Sequence, residues 1–140
     1  MKLNLNIFNG DLKKKILLLA NALKKTKNVK KIKFFILYGS QDNGKANKLS
    51  DYDFCIYYDG NNRERFNFRL NILGNLGSEF DIQIFQDLPI FVRKEVLKGK
   101  VIYCQDEDQL YDIAYQTIKE FEHFKKYYYD YLNRRPVLKW

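Results

Sequence analysis

Acidic side chains are almost missing from the first quarter of this chain. Residues 1–38 hold ten lysines and one acid, Asp11, whereas the rest of the chain is close to neutral, so the net charge of +8 belongs to the N-terminal segment. A patch of that kind attracts nucleic acid, an acidic protein surface or a polyphosphate, or else forms a solvated lysine-rich helix face. Cysteine is scarce too. Cys55 and Cys104 lie in apolar runs and form no CxxC, which argues against a disulfide framework or a thiolate metal site. Two buried thiols in a reducing cytoplasm are expected instead. Long hydrophobic runs are lacking. The longest, Ile16–Ala20 and Phe34–Tyr38, are far too short to span a bilayer, and no apolar stretch adjoins Lys2 as a secretory signal would require. Linkers, repeats and low-complexity tracts are absent as well.

What remains is a globular composition, 46% hydrophobic and 30% charged, of a length suited to one domain spanning 1–140. Asn9-Gly10-Asp11 reads as a turn with Asp11 as N-cap, followed by a helix over 12–27. Strands are expected at Ile32–Tyr38, Asp51–Tyr58, Phe80–Phe85 and Lys100–Cys104. Between them lie a helix over Arg63–Leu76, with Phe66, Leu70 and Leu73 on its apolar side and Gly77-Ser78 at its end, and a shorter one beginning near Pro89 and capped by Gly99. A long helix over Glu107–Asn133 follows, with an apolar stripe through Leu110, Ile113, Ala114, Thr117, Ile118, Phe121, Phe124, Tyr128 and Tyr131. The order α-β-β-α-β-α-β-α implies an α/β (α+β) fold, with helices packed on a mixed sheet of about four strands.

The informative motif joins the first two strands. Leu37-Tyr38-Gly39-Ser40 ends an apolar run, ten residues follow, and Ser50-Asp51-Tyr52-Asp53 opens another. Side chains alternate along a strand, so Asp51 and Asp53 point to one side. Two carboxylates in one small space repel unless a cation lies between them, and a hard cation such as Mg²⁺ meets that demand. Gly-Ser just upstream supplies close-approaching N–H groups and a hydroxyl suited to phosphate oxygens. In Phe80-Asp81-Ile82-Gln83-Ile84, alternation sets Asp81 and Gln83 on one face and Ile82 and Ile84 on the other, which makes Asp81 a candidate third carboxylate.

This arrangement resembles the DNA polymerase beta nucleotidyltransferase superfamily, whose pattern is GS, a spacer, DxD and a later carboxylate. The ten-residue spacer and short chain look like the minimal nucleotidyltransferases, many of them antitoxins paired with a HEPN toxin. The resemblance covers about residues 32–103. It implies that Asp51, Asp53 and Asp81 are catalytic and hold two Mg²⁺ ions, with Asp81 also acting on the attacking hydroxyl. Gly39 and Ser40 would hold the triphosphate of ATP. The spacer departs from the pattern, since Gln41 and Asn43 stand where relatives carry basic residues; Lys45 is its remaining cation and joins the candidate nucleotide-binding set. The resemblance further implies an antitoxin that moves AMP from ATP to a hydroxyl, a tyrosine's, on a HEPN ribonuclease toxin held in a hetero-oligomer; the residues themselves point to a cytoplasmic protein with no membrane partner, and leave direct nucleic-acid binding open but not favoured. Two rivals stand beside it: a small-molecule nucleotidyltransferase completed by oligomerisation, and an antitoxin that only binds.

The toxin role itself does not suit this chain. HEPN ribonucleases carry Arg, a short spacer and His, whereas the Arg preceding His123 is Arg93, thirty residues away. His123 reads as a helix-surface residue. Tyr127-Tyr128-Tyr129 cover all sides of a helix, so at least one ring must face solvent or an interface.

Overall fold

The computed structural model describes residues 1–6, 8, 10–39 and 52–134. Their elements run α1 Gly10–Lys24, β1 Ile32–Tyr38, β2 Tyr52–Tyr58, α2 Asn62–Gly74, β3 Phe80–Ile84, α3 Ile90–Val96, β4 Lys100–Cys104 and α4 Glu107–Arg134. The strands form one sheet in the order β3-β2-β1-β4. β1 pairs antiparallel with β2 and with β4, while β2 and β3 run parallel. A parallel neighbour needs a crossover, and α2 supplies it.

β1 is apolar at nearly every position because it lies inside the sheet with both faces covered. On one face, Phe35, Leu37, Phe54, Ile56 and Ile82 pack with Ile16, Leu19 and Leu23 of α1 and with Phe68 and Ile72 of α2. On the other, Phe34, Ile36, Cys55 and Phe85 pack with Val96 of α3 and with Leu110 and Ile113 of α4. This division decides where the polar residues of β2 and β3 point. Both outer strands are tied at a carbonyl. Asn4 N–H donates to Ile102 O of β4 at 2.8 Å, and Arg69 Nε donates to Ile82 O of β3 at 2.7 Å.

Several local expectations are corrected. α1 begins at Gly10, so Asp11 lies within its first turn and does not cap it. α2 ends at Gly74 with Asn75 as C-cap, ahead of Gly77-Ser78, and its N-terminus is closed by a capping box between Asn61 and Glu64. It buries Phe68 and Ile72, while Phe66 is 58% exposed and Leu70 51%. α3 ends at Val96, with Leu97 at its C-cap. Gly99 is instead required by proximity, because a Cβ there would collide with the carbonyl oxygen of Leu37. Cys55 is buried, but Cys104 is only partly so, and both are free thiols.

α4 changes character along its length. Leu110, Ile113, Ala114, Thr117 and Phe121 lie wholly or partly under cover, but every residue from Glu122 to Asn133 is exposed. The stripe therefore runs past its packing surface: Ile118, Phe124, Tyr128 and Tyr131 belong to no core, and Tyr127 and Tyr129 are exposed beside them. His123 is exposed too, with its ring edge-on to Tyr127 at 4.7 Å. Among the described residues no helix is long and apolar enough to cross a membrane.

Candidate functional site

Register brings two of the expected carboxylates together. Asp53 of β2 stands opposite Asp81 of β3 across the parallel pair, and opposite Tyr38 of β1 across the antiparallel one. Phe54 and Ile82, the next residue on each strand, point into the α1–α2 core, so Asp53 and Asp81 project to the α3–α4 face. Neighbouring strands lie about 5 Å apart, and two like charges at that spacing repel by roughly 3 kcal/mol at an effective dielectric near 20. A cation between them removes that penalty, so this pair fits a hard divalent ion.

Gly39 closes the site. Its φ is +80°, a conformation that L side chains rarely adopt. A Cβ on Gly39 would come within 2.6 Å of Oδ2 of Asp53, so only glycine lets the backbone pass this close to the carboxylate. Ser40, Lys45 and Asp51 lie outside the described residues. Among the described residues, no group of three His, Cys, Asp or Glu side chains is placed to hold a metal ion.

Two neighbours of the carboxylates were not assigned from the sequence. Tyr38 is half-buried on the same face. Burial pushes its phenol well above the ordinary tyrosine range, and Cys55, Asp81 and Asp53 push the same way, so it remains a neutral wall of the site. Gln83 donates from Nε2 to Oδ1 of Asp81 at 2.9 Å. Alternation set Gln83 beside Asp81, but nothing local in the sequence revealed the bond.

The strand starts that carry both aspartates are clamped from α1. The Tyr52 hydroxyl donates to Oδ2 of Asp11 at 2.6 Å, and that bond, with lesser help from burial, pushes the phenol pKa up to about 12. Lys15 Nζ bridges Glu79 at 2.8 Å, while the Glu79 carbonyl accepts from Tyr52 N–H at 2.7 Å. The bond to Glu79 raises the Lys15 pKa and lowers that of Glu79. Lys15 thus belongs to the scaffold and not to a free basic patch. A groove of about 890 Å³ between α1 and α2, lined by Asn21, Lys25, Asn67, Phe68 and Asn71 among others, opens on the sheet face away from Asp53 and Asp81.

Residues 19–108 match the family described as Polymerase beta, Nucleotidyltransferase. A Methanocaldococcus jannaschii protein, assigned by its name to the protein adenylyltransferases, is 34% identical over 91 residues, which is 65% of this chain and 70% of that one. Among solved structures, a toxin–antitoxin with AMP-PNP has a similar fold, with a TM-score of 0.64 at 20% identity over 86% of this chain and 94% of its own. So does a complex of a tri-AMPylated Shewanella oneidensis HEPN toxin with its MNT antitoxin, with a TM-score of 0.59 at 18% identity over 85% and 96%.

Proposed function

The chain belongs to the polymerase beta nucleotidyltransferase family, and from that premise we propose that it transfers AMP from ATP to a hydroxyl of a HEPN toxin, a tyrosine being the acceptor, and so acts as that toxin's antitoxin. The observation that carries this reading is the in-register pair Asp53 and Asp81 beside the close-packed backbone of Gly39. A site retained only for binding has no need of two like charges on adjacent strands.

Asp51, Asp53 and Asp81 would hold Mg²⁺, which supplies charge neutralisation at the triphosphate and at the oxygens that enter and leave. The rest of the chemistry belongs to side chains and backbone. Gly39 and Ser40 hold the terminal phosphates through N–H and hydroxyl donors, and Lys45 adds a positive charge. The acceptor oxygen attacks the α-phosphorus, the bond from that phosphorus to the bridging oxygen breaks, and pyrophosphate leaves. Asp81 receives the proton of the acceptor hydroxyl. Tyr38 keeps one wall of the site uncharged.

The test mixes this chain with a HEPN ribonuclease toxin and supplies α-labelled ATP with Mg²⁺. Label is expected on a toxin tyrosine, with loss of ribonuclease activity. Inhibition of the toxin without label would leave the binding-only antitoxin standing. Label on a small molecule would favour the small-molecule transferase.

A further inference from the structure

We infer that Gln83 is a positioning residue that sets the orientation of the Asp81 carboxylate. The inference rests on the reading of Asp81 as part of the site.

Asp81 and Gln83 are two residues apart on β3, so both side chains leave the same face about 7 Å apart along the strand. That gap suits a carboxamide on a two-methylene stem, which can turn back along the strand; the observed bond from Nε2 to Oδ1 is 2.9 Å. An aspartate's terminal torsion is broad and would otherwise let its two oxygens exchange places. With Oδ1 held by Gln83, Oδ2 is the oxygen left for a cation or an acceptor proton. The other surroundings of Gln83 reinforce the geometry. Its register partner on β2 is Cys55, fully buried, which presents an apolar wall on that side.

The chemical type of the donor also matters. A lysine or arginine at this position would supply its own positive charge and compete with the ion that the aspartates attract. A glutamate would add a further repelling charge to the aspartates and donate nothing. A neutral carboxamide orients the carboxylate without cancelling its charge, and hydrogen-bond partners of this kind alter metal affinity by about 10–100-fold when removed.

The experiment measures how Mg²⁺ supports binding of a non-hydrolysable ATP analogue, by calorimetry, together with the melting temperature of the metal-free protein. Three variants are compared with wild type. Gln83→Met keeps length and bulk but removes the donor. Gln83→Glu keeps length and adds a charge. Asp81→Asn tests the underlying site. Gln83→Met is expected to raise the half-saturating Mg²⁺ concentration about tenfold or more while melting near wild type, with the turnover of AMP transfer falling more than the KM for ATP changes. Gln83→Glu is expected to be worse than Gln83→Met in both respects. If Asp81→Asn abolishes Mg²⁺-dependent binding but Gln83→Met matches wild type within about twofold, the positioning role is wrong and the site survives. If Asp81→Asn binds normally, the site itself is wrong.

Discussion

Gly39 and Asp53 approach so closely that a single added methyl on the glycine would press into the aspartate's Oδ2 at 2.6 Å. The contact joins the end of β1 to the start of β2, so backbone shape and carboxylate position are set together. Gly39→Ala combines a left-handed conformation with this collision. It is expected to cost about 1–3 kcal/mol of stability, and to weaken ATP-analogue binding further because Asp53 must move. Chemical denaturation and calorimetry on the same samples separate the two effects. Normal binding by a folded Gly39→Ala variant would show that the phosphates are held elsewhere.

Asp53→Asn preserves shape and removes charge. AMP transfer is expected to fall by several orders of magnitude, since positioning and electrostatics supply most of the rate in phosphoryl-type transfers. The metal-free protein should be no less stable than wild type, because a repulsion is relieved. Chelation of Mg²⁺ should abolish analogue binding by wild type. Activity within about tenfold of wild type would remove Asp53 from the ligand set.

Tyr52 gives a pH signature. Its phenol is raised from the ordinary tyrosine value near 10 to about 12 by the bond to Asp11. A raised folded-state pKa favours the protonated form, so the stabilisation is complete below about pH 10 and disappears as pH rises through 12. Tyr52→Phe is therefore expected to be less stable than wild type at pH 8, by about 1 kcal/mol. The two melting temperatures should converge between pH 10 and 12. Parallel curves across that range would mean that the bond contributes nothing.

The exposed half of α4 bears on docking. Tyr127 and Tyr129 are 62% and 53% exposed, beyond the last covered residue of the helix. Tyr127→Ala with Tyr129→Ala is expected to weaken the toxin complex at least tenfold and leave ATP-analogue binding intact, since exposed aromatic anchors commonly dominate interfaces. Pull-down with purified partner and calorimetry for nucleotide check it. Charge reversal at Lys13 and Lys14, which do not share the bridge of Lys15 to Glu79, should slow association at low salt and have little effect at high salt.

What was legible in the sequence followed from short-range rules. β1 and β4 fall at the expected residues because their apolar runs end abruptly, one at Gly39 and the other flanked by Gly99. The facing of Asp81 with Gln83 followed from alternation and holds in the burial pattern of β3. The buried side of α2 was not legible. Phe66 and Leu70 share one spacing and Phe68 and Ile72 share the same spacing on the opposite side, so periodicity gives two equal answers and the sheet chooses between them. The stripe of α4 failed for a related reason: amphipathic spacing continues through Tyr131, but the body that covers it stops at Phe121. The bonds of Tyr52 to Asp11 and of Lys15 to Glu79 join residues 41 and 64 positions apart, a relation that only the fold creates.

The ties at the two outer strands constrain how a partner can be recognised. Asn4 occupies the carbonyl of Ile102 on β4 and Arg69 that of Ile82 on β3, so at both margins an incoming chain would have to displace an existing donor before it could extend the ladder. Recognition by strand addition, in which affinity comes from main-chain pairing, is thereby disfavoured. Among the described residues, side chains presented by helices remain open to a partner instead. Its specificity would then evolve by substitution on those helix surfaces, leaving untouched the sheet that holds the chemistry.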